Sequence, residues 1–117
     1  MQRLFELFEE MGFRNAEGFF RQGSLSTENY PPEFFTFWNV ATPQESHYDN
    51  ELRRFNEYVQ VGFYTTNAER IYSVMDEIIE KAKQRTGFTI AALPQDADSG
   101  KDNYFGRVCF IRIQKKT

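Results

Sequence analysis

The residues that could do chemistry are few. The run Pro94-Gln95-Asp96-Ala97-Asp98-Ser99-Gly100-Lys101-Asp102-Asn103 gathers carboxylates and so invites a calcium reading. An EF-hand loop needs oxygen ligands at its first, third and fifth positions, glycine at the sixth and glutamate at the twelfth. Counted from Asp96, the third position is Asp98, but the fifth is Gly100, the sixth Lys101 and the twelfth Arg107. The pattern fails. Gly100-Lys101 matches the end of a phosphate-binding loop, yet Asp102 replaces the magnesium-holding Ser or Thr and no glycine stands at the required earlier place. The run reads as a solvated acidic turn.

Tyr104-Phe105-Gly106-Arg107-Val108-Cys109-Phe110 looks partly like the strand on which RNA-recognition motifs stack single-stranded bases. Arg107 sits where that motif wants an aromatic, and the element order does not match, so a core strand is the plainer reading. His47 is the only histidine, which excludes triads and multi-histidine metal sites. Cys109 has apolar neighbours and reads as a buried, inert thiol. Asp76, Glu77 and Glu80 fall on the polar side of a helix, where a solvated face is the simplest role. No acid/base pair, metal set or cofactor motif stands out, and the expectation is a protein without catalysis.

The remaining residues build a scaffold. At 117 residues the chain is long enough for one continuous core, and 40% hydrophobic residues with thirteen Phe supply it amply. A net charge of -3 argues against a surface that grips nucleic acid all round, because phosphate neutralisation needs clustered positive charge. A single cysteine allows no internal disulfide, and no apolar stretch approaches membrane-spanning length, so a soluble cytoplasmic product is expected.

The organising element is Thr66 to Thr86. Ala68, Ile71, Tyr72, Met75, Ile78, Ile79 and Ala82 recur at helical spacing, with only Val74 off the stripe. Thr66 and Glu69 form a capping-box pattern, and Gly87 stands where a left-handed stop is needed. A first helix, 1–11, sets Leu4, Phe5, Leu7, Phe8 and Met11 on one side and ends at Gly12. Phe19 to Gln22 reads as a short strand or an edge segment.

Strands are expected at Glu33–Ala41, Asn56–Thr65, Phe88–Leu93 and Tyr104–Gln114, with the long helix bridging two antiparallel hairpins. Glu33–Ala41 carries aromatics on both faces, which predicts burial on both, either beneath the helix and against another surface or at a subunit contact. Thr42 to Phe55 is a polar loop longer than the turn requires, and Pro94 to Asn103 is a second loop. The predicted fold is a single α+β domain, 1–117, with a mixed or antiparallel sheet of four to five strands against two helices.

This set resembles the tail terminator (tail-completion, or head–tail joining) proteins of long-tailed, non-contractile bacteriophages and prophages. The residues carrying the likeness are Tyr30-Pro31-Pro32-Glu33-Phe34-Phe35-Thr36-Phe37-Trp38-Asn39, Tyr48-Asp49-Asn50, Phe63-Tyr64-Thr65-Thr66 and Ile71-Tyr72. The resemblance spans nearly the whole chain and rests on element order, size and the aromatic strand. It implies a structural virion protein, made in the host cytoplasm, that forms a ring, a hexamer in the particle. Such a ring caps the tail tube protein and meets the head connector or neck. It implies no cofactor, no membrane partner and no sequence-specific nucleic acid.

Contacts are then expected at Phe35, Phe37 and Trp38 on the strand, at Tyr48, Arg53 and Arg54 in the long loop, and at Asp96, Asp98 and Lys101 in the second loop. Tyr and Arg are favoured interface anchors. Three other readings stay open: a different neck or connector ring, a small nucleic-acid-binding module using the last strand with Arg53-Arg54, and a ligand-binding or enzymatic domain marked by a deep pocket.

Overall fold

Asn56–Thr65 is the central strand, and its alternation sets the architecture. Val59, Val61 and Phe63 point to one side and are fully buried, while Tyr58, Gln60 and Tyr64 point to the other and are partly exposed. The computed structural model of the protein describes residues 2–15, 17–22, 30–40, 56–97 and 103–114. In chain order the elements are α1 (Gln2–Glu10), β1 (Phe19–Arg21), β2 (Glu33–Asn39), β3 (Asn56–Thr65), α2 (Arg70–Lys83), β4 (Phe88–Ala97) and β5 (Phe105–Gln114). The strands form one five-stranded sheet in the order β1-β2-β3-β5-β4, with β1 parallel to β2 and every other pair antiparallel. The fold is α+β, as expected.

Both helices pack on the same side of the sheet. From α1, Leu4, Leu7 and Phe8 are fully buried, and Phe8 stacks on Phe35 of β2 with ring centroids 4.7 Å apart. Gly12 ends the helix region with a positive φ of 92°, as the sequence predicted. From α2, Ile71, Val74, Met75, Ile78, Ile79 and Ala82 are buried against Val59, Val61, Cys109, Ile111, Ile113 and Phe88 in the same core. Burying each large side chain of this kind is worth about 1.5–3 kcal/mol. The apolar face is therefore rotated from the expected one. Val74 belongs to it, while Tyr72 and Ala68 do not. Val74 completes the repeat 71, 74, 75, 78, 79, 82, and Tyr72 lies outside it with its ring under the Arg107 guanidinium, 4.8 Å from the centroid.

The start of α2 also differs. No capping box forms, and the N-cap Glu69 is in helical conformation without a side-chain cap bond. Instead the Glu69 N–H donates to Oδ1 of Asn67 (3.0 Å), and the Asn67 N–H donates to Oγ1 of Thr65 (3.0 Å). Asn67 competes successfully because its short amide accepts from its own backbone two residues on. The Thr65 hydroxyl in turn donates to Glu33 (3.1 Å), and Glu33 ion-pairs with Arg70, so the entry to α2 is tied to the start of β2. Gly87 does adopt a positive φ, 89°, but it turns the chain into β4 after a helix that has already ended at Lys83, and Arg3 of α1 lies over it.

β4 is longer than the apolar pattern suggested. It continues through Pro94 to Ala97 and absorbs register shifts between Ile90 and Ala92 and between Ala92 and Gln95. Proline is tolerated because β4 is an edge strand. Asp96 is thus a strand residue and not part of a loop.

Candidate functional site

Period-two alternation sorts the strand residues onto a helix-packed face and a helix-free face. The second face carries Phe20 (β1), Phe34, Thr36 and Trp38 (β2), Tyr58, Gln60, Gly62 and Tyr64 (β3), and Gly106, Val108, Phe110 and Arg112 (β5). Among the described residues no helix covers it.

One end of this face is closed by aromatic rings. Tyr64 lies flat across two glycines. A Cβ placed on Gly106 would stand 2.6 Å from Cε1 of Tyr64, and one on Gly62 would stand 3.0 Å from Cε2. Glycine at both positions lets the ring reach the backbone. Phe34 stacks on Tyr64 (5.4 Å, 25° between planes), and Tyr30 meets Phe34 edge-on at 5.4 Å. The Tyr104 hydroxyl donates to the Tyr30 and Pro31 carbonyls (3.2 and 2.7 Å), holding the lead-in to β2 over the sheet. Phe34, Thr36 and Val108 are consequently buried. Burial pushes the Tyr64 phenol above its ordinary range, partly offset by a hydrogen bond with Thr36.

The other end is open. Trp38 pairs across the ladder with Gln60, Gln60 with Phe110, and Phe110 with Ala92, which makes one lateral row over four strands. Trp38 is 43% exposed, and Tyr58, Gln60 and Phe110 are half-buried. Tyr58 and Phe110 are in contact at 5.7 Å, and the exposed Arg112 guanidinium sits 5.6 Å from the Tyr58 ring. Leu93 of β4, next to Ala92, is 81% exposed at the edge end of the row. The described strand carboxylates, Glu33, Glu57 and Asp96, all alternate onto the helix-packed side, so among the described strand residues the charge on the open patch is that of Arg112.

The expected contact residues separate. Trp38 lies on the open patch. Phe35 does not: it is fully buried between Phe8, Phe13 and Phe63, because α1 covers that side of β2. Phe37 is partly buried and packs on Phe5, so it too belongs to the core side. Asp96 is exposed but ion-paired to Arg107 at 2.7 Å, which commits it within the chain. Tyr48, Arg53, Arg54, Asp98 and Lys101 lie outside the described residues, as do His47 and the loop Thr42–Phe55. Tyr58, Gln60, Phe110 and Arg112 were not among the expected contacts. Strict alternation in β3 and β5 opposite the core residues was the signal for them.

The base-stacking resemblance of Tyr104–Phe110 does not survive as a unit. Phe105 and Arg107 alternate onto the helix side, Gly106 lies beneath Tyr64, Val108 and Cys109 are buried, and only Phe110 reaches the open patch. Cys109 is fully buried, and its thiol is pushed up to about 12 by burial. An open depression of about 670 Å³ is lined by Glu9, Gly12, Phe13, Arg14, Asn15 and Glu17. All its polar side chains are exposed, so it lacks the desolvation that strengthens catalytic electrostatics. Among the described residues no group of three or more His, Cys, Asp or Glu converges, and no helix is long and apolar enough to cross a membrane. No protein-family model matches the chain, and no curated protein matches it.

Proposed function

We propose that this chain is a structural protein of the tail end of a long-tailed bacteriophage or prophage. It assembles as a ring, a hexamer in the particle, that caps the tail tube and meets the head connector. The reading rests on the resemblance carried by Tyr30–Asn39, Phe63–Thr66 and Ile71-Tyr72. The observation that supports it most is Trp38 standing exposed beside Tyr58, Phe110 and Arg112 on a sheet face that no described helix covers. Trp, Tyr and Arg are the side chains most enriched where proteins bind one another. Removing the gene from the phage and examining the lysate tests the reading. Tails of uncontrolled length and unjoined heads are expected, both restored by the gene supplied in trans; normal virions without the gene product overturn it.

A second reading has its own observation. β5 lies inside the sheet beside β3, and Tyr58 and Phe110 of these two strands share the helix-free face, an arrangement on which single-stranded bases can stack. Salt-dependent binding of single-stranded oligonucleotides, lost on Tyr58→Ala or Phe110→Ala, would favour it over the ring.

A further inference from the structure

We infer that the open patch of one copy docks on the outward side of α2 of a second copy, head to tail. The inference rests on the ring reading and specifies its contact.

The sheet edges are poor candidates for joining copies. β1 is only three residues long, and β4 is broken by two register shifts and carries Pro94. Short strands, bulges and proline are what natural edges use to prevent strand addition. Association is thereby left to the faces.

The two faces differ in charge. The patch holds Trp38, Tyr58, Gln60 and Phe110 with the cation of Arg112, and no described strand carboxylate shares its side. Across the sheet, the exposed side of α2 presents Tyr72, Ser73, Asp76, Glu77 and Glu80. The basic residues there are already engaged: Arg70 pairs with Glu33, and Lys83 with Glu80. Asp76 and Glu77 close no ion pair among the described residues, although Glu77 shares the field of Arg70 with Glu33. An aromatic patch with one cation therefore faces away from a helix with carboxylates to spare.

Pairing of two identical patches would bring two copies of Arg112 into one interface with no described strand carboxylate to meet them, and would stop at a dimer. Pairing patch with helix joins opposite charges and leaves a free patch at one end and a free helix at the other. Such a heterologous contact repeats until the rotation closes a ring. Trp38 supplies the apolar anchor, and Arg112 supplies a charge-assisted bond to Asp76 or Glu77.

Two double variants of the full chain test this: Trp38→Ser with Arg112→Ser on the patch, and Asp76→Lys with Glu77→Lys on the helix. Wild type should sediment as a concentration-dependent multimer. Each variant alone should remain folded by circular dichroism and weaken assembly at least about tenfold. Mixed in equal amounts, the two should form one-to-one dimers and nothing larger, because one intact patch meets one intact helix. A helix variant that assembles like wild type overturns the docking while leaving the ring reading standing. Wild type that is monomeric at every concentration also overturns it. The ring reading is then judged separately by cross-linking of assembled tails, where absence of any multimer of this chain removes that as well. Salt-sensitive binding of fluorescent oligothymidylate by wild type, lost in the patch variant, reassigns the patch to nucleic acid.

Discussion

Gly106→Ala probes how the helix-free face is built. The added methyl would stand 2.6 and 2.9 Å from Cε1 and Cδ1 of Tyr64 and 2.9 Å from the Ala97 carbonyl oxygen. Real Cβ atoms do not approach so closely, so the Tyr64 ring must lift from the sheet and give up its stacking on Phe34. Overpacking of this sort costs about 1–3 kcal/mol. Against it, alanine reduces the freedom of the unfolded chain, worth about 0.4–1 kcal/mol. The net expectation is a loss of about 1–2 kcal/mol, read as a lower urea midpoint at unchanged slope. The decisive measurement is the cycle with Tyr64→Ala. In that background the ring is gone, only the Ala97 oxygen remains in the way, and Gly106→Ala should cost at least about 1 kcal/mol less. Equal costs in both backgrounds would refute the account of the glycine as a seat for the ring.

Three further outcomes follow from the same structure. Cys109, raised to about 12 by burial, should resist thiol reagents in the native protein at pH 8 and react fully once unfolded; rapid native labelling would contradict the placement. Glu10 is held below the usual carboxylate range by its hydrogen bond to Arg85, which joins α1 to the turn after α2. Because its folded value is depressed, its contribution is present above about pH 4.5 and fades as pH falls through the folded value, so Glu10→Gln should flatten the acid side of a denaturation-midpoint profile. Tyr64 is shifted the other way by burial, so its contribution is full below about pH 10 and is lost as pH rises through the folded value. Tyr64→Phe should shrink the alkaline loss of stability, and an unchanged profile would argue that the phenol is not desolvated.

What the sequence made legible was whatever repeats. β3 appears with the expected bounds because Val59, Val61 and Phe63 alternate without interruption, and α1 and α2 appear because their apolar residues recur at helical steps. The full reach of β4 was hidden, since Pro94 and Asp96 look like a loop until an edge position and an Arg107 partner make them acceptable in a strand. The same holds at the start of α2, where Thr66 and Glu69 fit a cap pattern but Asn67 makes the bonds.

For the candidate site, the aromatic strand β2 was evident, yet its two faces looked alike in sequence. Only tertiary packing separates them: α1 buries Phe35, whereas Trp38 on the opposite face stays exposed. Gly62 and Gly106, glycines inside strands, were the overlooked sign that a ring lies on that side.

The most direct test of the central claim is electron microscopy of purified virions or assembled tails carrying an epitope-tagged copy of this chain, decorated with antibody. The proposed function predicts label confined to the head-proximal end of the tail, with averaged density there showing a closed ring of six copies. Particles that carry no label, or label spread along the tail or over the head, would contradict it.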